Sequence, residues 1–141
     1  METIQLTFSQ IKSIVRNEPG LYEIFTNDQV PLKVGIAKNL RQRLSAHGKS
    51  KQRALKLKVM EVGYAIGNVK SKSSVLSMHL YFDSSITEKY DLTTESGRVA
   101  FLENECYIQI QYTPTRIAAR KLEQAKEASG IYRYVGRVLL R

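Results

Sequence analysis

Residues 20–47 read GLYEIFTNDQVPLKVGIAKNLRQRLSAH, and their organisation decides the fold. Leu21, Tyr22, Glu23, Ile24 and Phe25 alternate as a strand does, and Asn27-Asp28 is turn chemistry. Residues 32–36 form the returning strand, with Pro31 at its start where no amide is needed. Asn39 then stands as an N-cap with Gln42 three residues on, and Gly48 supplies a stop, so residues 39–47 are a short helix. If the turn is centred on Asn27-Asp28, Tyr22 lies opposite Lys33, and such cross-strand partners share a face about 5 Å apart. A longer loop moves Lys33 to the diagonal. Arg43 and His47 are four residues apart on the helix and so lie on one side of it. A phenol, an ammonium, a guanidinium and an imidazole therefore converge. No acid stands between Asp28 and Glu61. This is chemistry for a phosphate, and the surrounding positive charge is expected to make the Tyr22 phenol more acidic than usual.

Outward from this core, Thr7 or Ser9 caps a first helix reaching about residue 17, which Pro19-Gly20 ends. Residues 53–58 suit a helix and 59–66 a strand, with alternatives open across 50–66. Residues 70–74 are a short polar loop, and the apolar run 75–82 reads as a strand. Thr93 or Thr94 opens a helix to about residue 111, with Val99, Leu102, Cys106, Tyr107 and Ile110 at helical spacing. After Pro114 an amphipathic helix spans 115–128, and 131–140 reads as a last strand. The expected architecture is a single α+β domain over 1–141, a small and largely antiparallel sheet flanked by helices.

The 141 residues carry 43% hydrophobic and 25% charged side chains, an ordinary globular balance that argues against disorder. No apolar run approaches the roughly 20 residues of a membrane span, and the polar N-terminus lacks signal-peptide layout. One cysteine, Cys106, forms no internal disulfide and no cysteine-built zinc site; it reads as core packing in a cytoplasmic protein. His79 stands without a ligand partner at metal spacing and reads as structural. The 22 Lys and Arg against 13 Asp and Glu give a formal charge of +9. Lys38, Arg41, Lys49, Lys51 and Arg53 belong to the acid-free stripe and are the expected nucleic-acid-binding residues. DNA is the expected partner, with RNA left open; a membrane is not, for want of a basic amphipathic helix of useful length.

Gly20-Leu21-Tyr22, with Lys33-Val34-Gly35 eleven residues later, resembles the paired signatures of the GIY-YIG endonuclease superfamily. Ala37-Lys38-Asn39-Leu40 is similar to the loop and helix start of that family. Arg43 falls in the place of its catalytic arginine, and His47 matches a histidine of its homing-endonuclease members. Leu102-Glu103-Asn104 resembles the helix bearing the metal-binding glutamate, and Tyr112-Thr113-Pro114 the segment after it. The likeness covers residues 20 to about 115. Lys33 stands where tyrosine is usual, and Thr115 and Arg116 where many members have asparagine. The resemblance implies a divalent-metal-dependent hydrolase of DNA phosphodiester bonds. Tyr22 would be general base, Lys33 and Arg43 would stabilise the phosphate, and Glu103 would hold Mg²⁺ or Mn²⁺. His47 would assist proton movement or bind phosphate. An inactive nuclease-like nucleic-acid-binding module is the alternative, and a homodimer or partner protein would supply specificity. Residues 130–136, GIYRYVG, also match the family's letters, but no helix follows to bring charge over them, so they are expected to be a structural strand with Tyr132 and Tyr134 side by side.

Overall fold

Strand β2, Gly20–Thr26, pairs on one side with β3, Pro31–Ala37, and on the other with β4, Cys106–Tyr112. A three-residue strand β1, Ile4–Leu6, borders β4, giving an antiparallel sheet in the order β1-β4-β2-β3. These coordinates come from a computed structural model that describes residues 2–50, 75–83 and 85–135. The helix or strand expected within 53–66, the polar loop ending at residue 74, Lys51 and Arg53, and the end of the last strand, 136–140, lie outside the described residues.

The expected hairpin and helix are present, and the α+β class holds. Helix α2 runs Leu40–Lys49, and the Asn39 side chain caps it by accepting the Gln42 amide at 3.0 Å. Gly48 does not end the helix. Ser50 does, in the left-handed region at φ 49°. The first helix is shorter than expected: a 3₁₀ turn at Phe8–Gln10 leads into α1, Ile11–Ile14, and Val15 is already extended. Residues 75–82 are a helix, α3, Val75–Phe82, and not a strand. An unbroken apolar run suits a helix buried on all sides as well as a central strand, and Ser77 here bonds Ser50 across the core at 2.7 Å.

The next helix, α4, Glu95–Glu105, stops six residues earlier than expected, and β4 follows it directly. Cys106, Ile108 and Ile110 are buried while Tyr107, Gln109 and Gln111 are half-buried, a period of two that overrides the helical spacing. Helix α5, Arg116–Glu127, begins at its Thr115 cap as expected.

Two layers cover the sheet. Leu6, Phe8, Ile24, Leu40, Leu44, Leu76, Leu80, Phe101, Leu102 and Ile108 form the main core on one face, each buried side chain contributing about 1.5–3 kcal/mol. On the other face α5 packs over β3 and β2, with Leu122 against Leu21, Val34, Ile36 and Tyr132. Residues 131–135 do not form a strand. They cross the sheet edge, where the amides of Arg133 and Tyr134 donate to the carbonyls of Pro31 and Leu32 at 2.9 and 2.8 Å. Tyr132 consequently joins the α5 layer and Tyr134 the main core, so the two rings lie in different layers and not side by side.

Candidate active site

Tyr22 sits on the central strand directly opposite Gly35, with Lys33 paired to Ile24 one step along the same face. The register is therefore the diagonal one; a bulge at the Ile24–Phe25 step accounts for the longer loop. The Tyr22 ring lies across Gly35, where any Cβ would collide with the phenol oxygen and ring carbons. A side chain on Gly20 would likewise meet the Gln111 carbonyl and a Leu40 methyl. Both signature glycines thus exist for close approach, one to the tyrosine and one to the helix that faces it.

Helix α2 turns Leu40, Leu44 and His47 inward. His47 Nε2 meets the Tyr22 hydroxyl at 2.7 Å, with ring centroids 5.3 Å apart. The far end of α2 is fixed by Arg98, only 3% exposed, whose guanidinium donates to the Ser50 carbonyl at 2.8 Å and to the Leu92 carbonyl at 3.2 Å. That anchor holds the helix that carries both Arg43 and His47.

Charge around Tyr22 differs from the expectation in one respect. Its pKa is pushed up to about 12, because burial of a residue 1% exposed outweighs the Arg43 charge and hydrogen bond that pull it down. The phenol is thus less acidic than usual, and the expected acidification does not occur. His47 is held well below its usual pKa by burial first, then by Arg43 and Lys33, and is neutral at pH 7. Lys33 is lowered by burial and by Arg43, while Glu123 and Glu127 act in the opposite direction. Tyr22, Lys33, Arg43 and His47 are therefore brought together.

Glu103 lies elsewhere. It is exposed near the end of α4 and lines two grooves, one with Glu95, Ser96 and Val99 and another with Phe8, Lys12, Ser45 and Lys49. Neither includes a member of the Tyr22 cluster. The carboxylate within electrostatic reach of Tyr22 and Lys33 is Glu123 on α5. Burial and the neighbouring Glu127 raise its pKa, while Lys33, Arg120 and Arg116 oppose them. Arg116, Arg120, Glu123 and Glu127 recur at spacings of four, three and four, one face of a helix. That stripe was visible in the sequence; what it faces was not. Glu105 accepts bonds from Lys89 and Tyr90 instead.

Glu123 and Glu127 stand one turn apart on α5, and the charge of Glu127 adds to burial in raising the Glu123 pKa. Among the described residues no three His, Cys, Asp or Glu side chains gather as a metal cage. A Mg²⁺ held by one or two carboxylates with substrate phosphate oxygens needs none.

Beside this cluster, at the edge of β3, a cleft of about 640 Å³ opens between α2 and α5. Lys38, Asn39, Gln42, Arg43 and Ala46 line it from α2 and its approach, Arg116 from α5, and Ile36 and Ala37 from β3. Of the other expected nucleic-acid contacts, Lys49 is exposed at the end of α2 and Arg41 half-buried on it. Cys106 is buried, its thiol pushed up to about 12 by burial and by Glu105. His79 stacks on Tyr134, with centroids 4.9 Å apart. Among the described residues no helix is long and apolar enough to cross a membrane. No family model, curated protein or solved structure matches the chain.

Proposed function

We propose that the chain is a divalent-metal-dependent endonuclease that hydrolyses DNA phosphodiester bonds, as its likeness to the GIY-YIG superfamily implies. The observation that carries this reading is the convergence of Tyr22, His47, Arg43, Lys33 and Glu123 beside a basic cleft. The hydroxyl of Tyr22 lies 2.7 Å from Nε2 of neutral His47, so in the tautomer that leaves Nε2 unprotonated the imidazole accepts the phenol proton as the phenol oxygen takes one from an attacking water. The water O–H bond breaks as its oxygen bonds phosphorus, the P–O bond to the leaving oxygen breaks, and the proton held transiently by the Tyr22–His47 pair is released to that oxygen through solvent. Passing the proton to His47 avoids a free tyrosinate, which a pKa of about 12 would make scarce at neutral pH. Arg43 and Lys33 stabilise the charge that develops on the phosphate oxygens. A divalent cation held by Glu123, with Glu127 behind it, would supply Lewis-acid stabilisation of the leaving oxygen.

A second reading has one observation in its favour: Tyr22 is 1% exposed, which suits a domain that grips nucleic acid without cutting it. Plasmid nicking separates the two. The nuclease reading expects Mg²⁺- or Mn²⁺-dependent product that is lost in Tyr22→Phe and Glu123→Gln and kept in Glu103→Ala. Cleavage indifferent to Tyr22 overturns the assignment. Salt-sensitive binding with no product in either metal selects the binding module.

A further inference from the structure

We propose that the cleft between α2 and α5 is a second phosphate subsite, in which Arg116 grips the backbone of one nucleic-acid strand next to the reacting phosphate. The proposal rests on the nucleic-acid reading above and adds a residue and a wall that the acid-free stripe does not contain. Three observations converge. Among the described residues the lining carries three cations, Lys38, Arg43 and Arg116, and no carboxylate, although Glu123 lies on the same face of α5 as Arg116. The cations come from two separate elements, Lys38 and Arg43 from the start of α2 and its approach and Arg116 from α5, and the two guanidinium groups offer paired donors to phosphate oxygens.

Both helices also begin at this cleft. Asn39 and Thr115 cap their first turns, and the positive ends of both dipoles add to the side-chain charge. The volume of about 640 Å³ is that of a ligand cleft, adequate for a short run of one strand. Arg43 lines the cleft and also acts on Tyr22, so the subsite adjoins the reacting centre directly.

The test measures binding alone, in EDTA, so that absence of cleavage does not decide it. The probe is a short fluorescein-labelled single-stranded oligodeoxynucleotide, titrated by anisotropy between roughly 50 and 200 mM salt. Arg116→Gln is expected to weaken binding several-fold and to lower the slope of log K against log salt by about 0.7, one phosphate contact on a single strand. Arg116→Lys keeps the slope. Lys121→Gln, on the exposed opposite side of α5, serves as the equal-charge control and changes binding less. Ala46→Glu puts a carboxylate on the cleft wall and is expected to lose more than Arg116→Gln. Arg116→Gln and Lys121→Gln behaving alike, or Ala46→Glu binding as the wild type does, overturns the proposal. Failure of the nuclease reading with these binding effects intact leaves the subsite standing.

Discussion

Two stretches of this chain bring tyrosine next to glycine, and they put it to opposite use. At Gly20-Leu21-Tyr22 the ring crosses Gly35 and presents its hydroxyl to a neutral imidazole, with Arg43 beside it. At residues 130–134 the hydroxyls donate to carboxylates: Tyr132 to buried Glu23 at 2.5 Å, and Tyr134 to Asp83 at 2.7 Å. Burial raises the pKa of all three phenols. The neighbours separate them. Arg43 pulls the Tyr22 pKa down against burial and Glu123, whereas the carboxylates bonded to Tyr132 and Tyr134 push theirs up further, Arg133 only partly opposing this at Tyr134, so those two hydroxyls are held as fixed donors. Spelling favours the second stretch; chemistry favours the first.

The largest effect expected from this contrast is on turnover. Under the nuclease reading Tyr22→Phe lowers the cleavage rate about 10²- to 10⁴-fold below the melting range, the usual worth of a positioned acid–base group, besides the stability lost with its buried bond to His47. Tyr132→Phe affects stability alone. It strips a donor from Glu23, leaving Lys126 at 3.2 Å as the remaining partner shown, and costs about 1–3 kcal/mol of stability with kcat kept below the melting range. Paired nicking and thermal-denaturation curves read both, and equal profiles for the two variants would erase the distinction.

The glycines sharpen it. Gly35→Ala places a methyl inside the Tyr22 ring and is expected to cost about 1–3 kcal/mol and to displace the phenol from His47. Gly130→Ala meets open space, but at φ 72° it carries about 1–2 kcal/mol of left-handed strain and leaves the site untouched. Urea denaturation gives both costs, and cleavage assays should register only the first.

How much of this the sequence disclosed follows from the range of the interactions. The hairpin and α2 are local: alternation, a turn pair and an N-cap fix them within thirty residues, and they stand where the pattern puts them. The switch from helix to strand after Glu105 is not local. Cys106, Tyr107 and Ile110 fit a helix as well as a strand until pairing of Ile110 with both Tyr22 and Ile4 selects the extended form. Residues 75–82 give no period to read, because every side would be buried either way. The site shows the same limit. Tyr22, Lys33, Arg43 and His47 come from one hairpin and its next helix, whereas Glu123 reaches them by packing of α5 on β3, a hundred residues later in the chain. Position in a motif pointed to Glu103, which lines grooves apart from Tyr22, while the packing of α5 brings Glu123 within electrostatic reach of the cluster. The acidity expected of Tyr22 was wrong in sign for a related reason: charge can be counted in a sequence, and burial cannot.

The strap across the sheet edge gives a smaller effect. Burial pushes the Asp83 carboxyl up, but bonds from Arg133, Tyr134 and Ser85 together outweigh it and hold the group below its ordinary range. Asp83 thus contributes stability that is complete above its unfolded pKa near 3.9 and is lost as pH falls through the folded value. Asp83→Asn should cost about 1–2 kcal/mol at pH 7, because water still screens the Arg133 pair, which is about a third exposed on the arginine side. The variant should lose less than the wild type on acidification from pH 5 to pH 2, a difference that melting curves at each pH would reveal.

The smallest effect belongs to His47, and its sign is opposite to that of a histidine stabilised by a carboxylate. The folded imidazole is neutral and resists protonation, while the unfolded one titrates near 6.5. Below that pH the unfolded chain binds a proton that the folded chain refuses, so stability present above 6.5 is lost as pH falls. From pH 7.5 to pH 6 this single group should remove at most about 1 kcal/mol. His47→Asn should lower the whole stability curve, since the bond to Tyr22 is altered, yet flatten its slope over that interval. His79 is present in both proteins, so the difference between them isolates residue 47. A variant whose slope matches the wild type would mean that folded His47 takes up a proton much as the unfolded chain does, and the imidazolium then formed below pH 6.5 has no lone pair with which to take the Tyr22 proton.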